Sequence, residues 1–168
     1  MHRVYNDRRP PRYGNPQSNL RIELPMALEL RSCDDVIRTL EACGIAPTRQ
    51  RVEIAQVLFS RCAHLSADQV LAAVNAREVL ASKATVYNTL NLFVRMKLVR
   101  EVLVDPDRVF YDPNTTPHHH FYNVDSGEIS DIAADHIAFA QLPDVPQGMV
   151  NDGVDVVVRI RAATVTSN

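Results

Sequence analysis

The chain has 168 residues, 46% of them apolar and none of them tryptophan, which suits one domain or two small ones with a real core. No apolar run approaches the ~18 residues of a membrane span. No apolar stretch follows the N-terminal arginines, so neither a membrane segment nor a secretory signal is expected. Net charge is only −2, but its distribution is uneven: residues 1–108 hold 16 Lys and Arg against 12 Asp and Glu, and residues 109–168 hold 2 against 8. A basic front and an acidic back suit a nucleic-acid-binding module followed by a cation-binding one. The three cysteines, Cys33, Cys43 and Cys62, show no Cys-x-x-Cys spacing and read as reduced thiols of a cytoplasmic protein.

Residues 1–30 alternate Arg3, Arg8, Arg9 and Arg12 with Pro10, Pro11, Gly14 and Pro16. Such a segment has little apolar surface to offset its ordering entropy and reads as a flexible basic arm. Helical patterning starts at Cys33, where Asp34 and Asp35 favour a helix start, Val36, Ile37 and Leu40 line one face, and Gly44 is a natural stop. Pro47 and Thr48 open a second helix with Val52, Ala55, Leu58 and Phe59 as its buried stripe. Arg49 and Arg51 fall in its first turn, where a cation is unfavourable unless an anion such as a DNA phosphate is near. Ser66 followed by Gln69 is a capping box and begins a third helix. His64, just before it, has no role legible from its surroundings alone.

A fourth helix is expected from about Lys83 to Lys97, with Val86, Leu90, Phe93 and Val94 facing inward. Its other face carries Lys83, Thr85, Tyr87, Asn88, Asn91 and Arg95. Tyr and Asn can reach base edges, and Lys and Arg can reach phosphates. Two β-rich runs, 98–104 and 109–111, flank Asp105-Pro-Asp-Arg108, which is turn chemistry. Helices followed by a β-hairpin make a winged helix over residues 31–111, with the fourth helix reading DNA and Arg49 and Arg51 on phosphates.

Residues 112–168 form the second unit. Its centre is His118-His-His120, which reads as a strand running into an Asp-Ser-Gly turn at 125–127. Alternate side chains on a strand share a face, so His118 and His120 point one way and His119 the other. Two converging imidazoles are half of a metal site, and Asp112 and Asp131 can return to the same point if the chain folds as hairpins. A helical stretch is expected over 133–142, and a half-buried strand over 154–162 from the alternation of Val154, Val156, Val158 and Ile160 with charged residues. So small a sheet does not stand alone, and dimerisation is the expected remedy. The fold class is therefore α+β: a winged-helix DNA-binding domain, then a small α/β dimerisation domain.

The motifs Pro47-Thr-Arg-Gln-Arg51, His64-Leu-Ser-Ala67, Ala84-Thr-Val-Tyr-Asn-Thr-Leu90, His118-His-His120 and Gly127-Glu-Ile129 together resemble the ferric uptake regulator family of metal-sensing transcription factors, over roughly residues 33–162. The resemblance implies a regulatory metal site joining the two domains. Its ligand places are held here by His64, Asp112, His118, His120 and Asp131. Such a nitrogen–oxygen set suits Fe(II), Mn(II) or Zn(II). A structural zinc site common in the family is not expected, because Asn123 and Ser126 stand where a Cys-x-x-Cys pair would. A further family metal site looks damaged, with Pro117 where a histidine often stands. The triple histidine without those cysteines looks most like the haem-responsive iron response branch, which implies haem at His118, His119 and His120. That branch's Cys-Pro haem motif is replaced by Cys33-Asp34. The function expected is a homodimeric regulator of iron and haem metabolism. It would bind promoter operators in double-stranded DNA through Arg49, Arg51, Lys83, Thr85, Tyr87 and Asn88, under control of a divalent metal, haem or both. A peroxide-sensing metalloregulator of the same fold is the alternative. A metal-dependent hydrolase would need an open coordination position and a general base beside the bound water, and no such base is found.

Overall fold

Residues 32–60 and 64–163 are described in a computed structural model of the chain. The basic arm expected over 1–30, and Cys62, lie outside the described residues. Ser32 caps the first helix, α1 (Cys33–Ala42), by accepting from the Asp35 N–H. The helix stops because Gly44 takes a left-handed conformation, φ 70°, that glycine adopts without steric cost. Ile45 N–H then reaches back to Leu40 O, and Gly44 N–H to Glu41 O, closing the last turn. Thr48 caps α2 (Arg49–Phe59), and the expected reciprocal box of Ser66 and Gln69 starts α3 (Ala67–Val74). Ser82 caps α4 (Lys83–Arg95). Asn75 sets the path between α3 and α4: its side-chain oxygen accepts from Leu80 and Ala81 N–H, and its NH2 donates to Ala81 O.

Most of the stripes foreseen for the helices join one core, with Ile37 and Val94 only partly buried and Ile54, not foreseen, fully buried. Val36, Leu40, Ile54, Ala55, Leu58, Val70, Val86, Leu90 and Phe93 are fully buried together. Each of the larger aliphatic or aromatic side chains contributes about 1.5–3 kcal/mol by leaving water. A hairpin of β2 (Arg100–Asp105) and β3 (Arg108–Asp112) follows α4. The first sheet gains a third strand that the sequence did not announce, the two-residue β1 (Leu65–Ser66), which pairs antiparallel with β3. Four helices and this β-hairpin form the winged helix.

The second sheet has the order β5-β4-β6, with β4 (His118–Asn123) in the middle. β5 (Ile129–Ala133) pairs with it antiparallel and β6 (Val157–Ile160) in parallel. Two expectations fail here. The helix foreseen at 133–142 is only a short 3-10 turn, Ala134–His136, and residues 137–156 carry no helix or strand. Residues 133–142 hold no proline or glycine but lie exposed apart from the partly buried Ile137 and Leu142, while beyond them Pro143 and Pro146 cannot donate to a ladder and Gly148 and Gly153 take positive φ. The strand foreseen at 154–162 is shorter, and it is not half-buried: Val158 is 36% and Ile160 41% exposed. Alternation marks which residues share a face, but it does not supply a layer to cover that face. The two units touch through a second apolar cluster, where Val102, Val104 and Phe110 of the hairpin meet Tyr122 of β4.

Candidate metal centre and nucleic-acid face

Strand register brings the ligand places together. Leu65 opposes Tyr111 and Arg100 opposes Asp112, so the end of β3 has the β1 side, with His64, on one flank and Arg100 on the other. On β4, His120 opposes Asp131 of β5, and cross-strand partners share a face. The ligand atoms of His64, Asp112, His118 and His120 lie within 4.8 Å of one another. Asp131 Oδ1 joins them at 3.2 Å from His64 Nε2 and 3.4 Å from His118 Nε2. All five residues singled out as ligand places converge, two from the winged helix or its end and three from the second sheet.

The surroundings prepare several of these groups. His118 Nδ1 lies 2.8 Å from Thr116 O, which can only accept, so that nitrogen carries a proton and Nε2 faces the cluster. Asp112, 1% exposed, takes the Asn114 N–H on Oδ1 and the Arg100 Nε–H on Oδ2. Asn114 also donates to Asp131 Oδ2 at 3.1 Å. Burial alone would raise the carboxyl pKa of both Asp112 and Asp131, but their imidazole neighbours pull each well below the usual carboxylate range. Burial alone would lower the pKa of His118, yet Asp112 at 3.1 Å and Asp131 raise it to about 9. His64 Nε2 is the exception: it is buried and close to both carboxylates, but no hydrogen bond reaches it. An orphaned buried nitrogen is costly unless something else satisfies it. Three inward imidazoles and two carboxylates, one nitrogen orphaned, fit a divalent ion with nitrogen and oxygen ligands.

The sequence reading missed Arg100, whose Nη2 lies 3.3 Å from Nε2 of both His118 and His120. The hairpin itself carried the signal, because counting back from a turn at 105–108 sets Arg100 near Asp112. His119 points to the opposite side of β4, as alternation requires, but it is not free for another ligand. It is 5% exposed, its Nδ1 accepts from the Val156 N–H at 3.3 Å, and its ring meets Phe139 edge-on.

On α4, Tyr87 is 38% exposed and Asn88 is exposed beside it. Lys83 lies over the Tyr87 ring and pairs with Asp68 at 3.0 Å, and Thr85 meets the Ser82 hydroxyl. Arg49 pairs with Glu78, and Arg51 donates to Ala46 O. Arg49 and Lys83 are thus already partnered by Glu78 and Asp68.

Residues 42–148 match the model of the ferric uptake regulator family. The chain belongs to that family. Family members are metal-responsive, DNA-binding, dimeric transcriptional regulators and not enzymes. The chain is 31% identical to the peroxide-responsive repressor PerR of Staphylococcus epidermidis over 126 residues, covering 73% of this chain and 81% of that one. A PerR of Staphylococcus aureus is 31% identical over 110 residues, 63% of this chain and 74% of that one. Among solved structures, the ferric uptake regulator of Pseudomonas aeruginosa with manganese is 25% identical, with a TM-score of 0.56, over 74% of this chain and 96% of that one. The ferric uptake regulator of Francisella tularensis with iron superposes with a TM-score of 0.57 at 22% identity, over 71% of this chain and 92% of that one. These likenesses confirm the α+β winged-helix architecture of a ferric uptake regulator. Among the described residues no helix is long and apolar enough to cross a membrane.

Proposed function

We propose that the chain is an iron-responsive regulator whose affinity for operator DNA is governed by a divalent ion at His64, Asp112, His118, His120 and Asp131. The observation that carries this reading is the convergence of side chains from both units on one buried point. His64 and Asp112 would hold the ion from the winged-helix side, and His118, His120 and Asp131 from the second sheet. A divalent ion held there would supply positive charge to offset the two carboxylates. Closing that cluster fixes the angle between the units, and so the separation of the two α4 helices in a dimer reading a two-fold operator. Iron, manganese and zinc all suit the donor set. Iron is favoured by the family resemblance, with the operators those of iron and haem genes. A divalent ion is preferred to haem, because His119 has a partner and no open face.

The test is a DNA-binding assay on promoters of iron and haem genes, with and without Mn(II) and with haem as a third arm, beside small-angle scattering of the parent and His64→Ala. Metal-dependent binding, and a metal-dependent shape change lost in His64→Ala, are expected. A His64→Ala variant that responds to metal as the parent does would remove the mechanism. A second reading, peroxide sensing through oxidation of the ligands, is favoured by the two relatives named as peroxide-responsive repressors. Mass spectrometry of the iron-loaded protein after peroxide would show oxygen added at His118 or His120 under that reading alone.

A further inference from the structure

Arg100 reaches into the middle of the ligand cluster from β2. Its Nε donates to Asp112 Oδ2 at 2.9 Å, and its Nη2 lies 3.3 Å from Nε2 of His118 and of His120. Nη2 also donates to His118 O at 3.4 Å, and Nη1 is 3.6 Å from Asp155 Oδ1. Three of the four clustered ligand atoms therefore face one guanidinium. A guanidinium has five N–H donors, no lone pair and a permanent charge, so it ligates nothing. It satisfies at about 3 Å the atoms that a transition metal would hold at about 2.0–2.2 Å. The two cations cannot share that space.

We propose that Arg100 is a built-in competitor for the metal centre: its guanidinium must leave the histidines before an ion can enter, and it leaves toward Asp155. This inference rests on the metal reading above. Asp155 is suited to the role, being 71% exposed and already within reach. It lies one residue ahead of Val156, whose carbonyl accepts from His120 N–H at 3.0 Å. Arg100 leaving the site is thus drawn to backbone bonded to the histidine strand itself. The occupancy of the site by Arg100 sets the threshold of the sensor, since the apparent dissociation constant is the intrinsic one divided by the fraction of open molecules. If about nine molecules in ten are closed by Arg100, removing its charge tightens metal binding about tenfold.

The experiment is Mn(II) titration of the full chain without DNA, followed through the paramagnetic resonance signal of free Mn(II), with circular-dichroism melts to verify folding. Arg100→Gln keeps a donor for Asp112 and loses the charge, and it should bind Mn(II) about tenfold tighter or more. Asp155→Asn removes the exit partner and should bind several-fold more weakly. Unchanged or weaker binding by folded Arg100→Gln overturns the proposal, because Arg100 would then only orient Asp112. If Arg100→Gln does not fold, Asp155→Asn decides, and binding equal to or tighter than the parent's overturns it. His118→Ala is the control for the site. If the parent binds no Mn(II), or His118→Ala binds it as the parent does, the metal reading itself falls and takes this inference with it.

Discussion

His64 shows how little a single residue reveals about itself in sequence. A histidine just outside a helix start is usually solvated, and only the family resemblance singled it out. In the fold its side chain is 4% exposed and its Nε2 lacks a hydrogen bond. Replacing it by leucine, of similar bulk, removes an unsatisfied buried nitrogen. It also removes the imidazole that faces Asp131 at 3.2 Å and Asp112 at 3.6 Å, so in chelator His64→Leu should be less stable than the parent by about 1–3 kcal/mol and should lose the rise in melting temperature that metal gives. Thermal melts with and without Mn(II) check both halves. His118 makes a different prediction. Its pKa is raised from 6.5 to about 9, so in chelator its protonated form adds stability in full below about pH 6.5, lost as pH rises through about 9. A metal ion needs the deprotonated Nε2, so binding below about pH 9 expels a proton and weakens as pH falls, about tenfold per unit. Calorimetry in buffers of different ionisation enthalpy counts that proton.

Among the elements, the helices were the most legible, because each carries its own start and stop. Ser66 with Gln69 and the glycine at 44 act within a few residues, so sequence and structure agree there. What failed depended on distant partners. β1 is two residues long and exists only because β3 lies beside it, which no periodicity can announce. The stretch 133–142 has apolar residues at plausible spacing and no proline or glycine, but apart from the partly buried Ile137 and Leu142 it is exposed, so it has no packed face to stabilise a helix. Arg100 differs from β1, because the turn at 105–108 sets its register opposite Asp112. The α4 helix is where pattern and exposure coincide. Tyr87→Ala should cost about 1–3 kcal/mol on the specific operator and little on random DNA, read by competition binding. Equal loss on both would move Tyr87 from base reading to backbone contact.

For the whole molecule, the contacts between the units matter most. Besides the ligand cluster, Tyr122 of β4 donates to Asp105 Oδ2 at 2.9 Å, and Arg159 of β6 donates to Val104 O. These tie the tip of the hairpin to the second sheet. Tyr122→Phe keeps the ring in the second apolar cluster and removes that bond. It should cost about 1 kcal/mol in urea unfolding and enlarge the metal-dependent change in small-angle scattering, because the hairpin is then held by fewer contacts. The order of strands in the second sheet has a temporal consequence. β4 bears three histidines and pairs in parallel with β6, which is synthesised more than thirty residues later. Until β6 joins, β4 is held only by β5 and by its contacts with the hairpin of the winged helix. The winged helix, whose contacts are closer in sequence, is complete by then and folds first, as N-terminal units do. In chain order, α4 is therefore made before the strands that bring His118, His120 and Asp131 to His64.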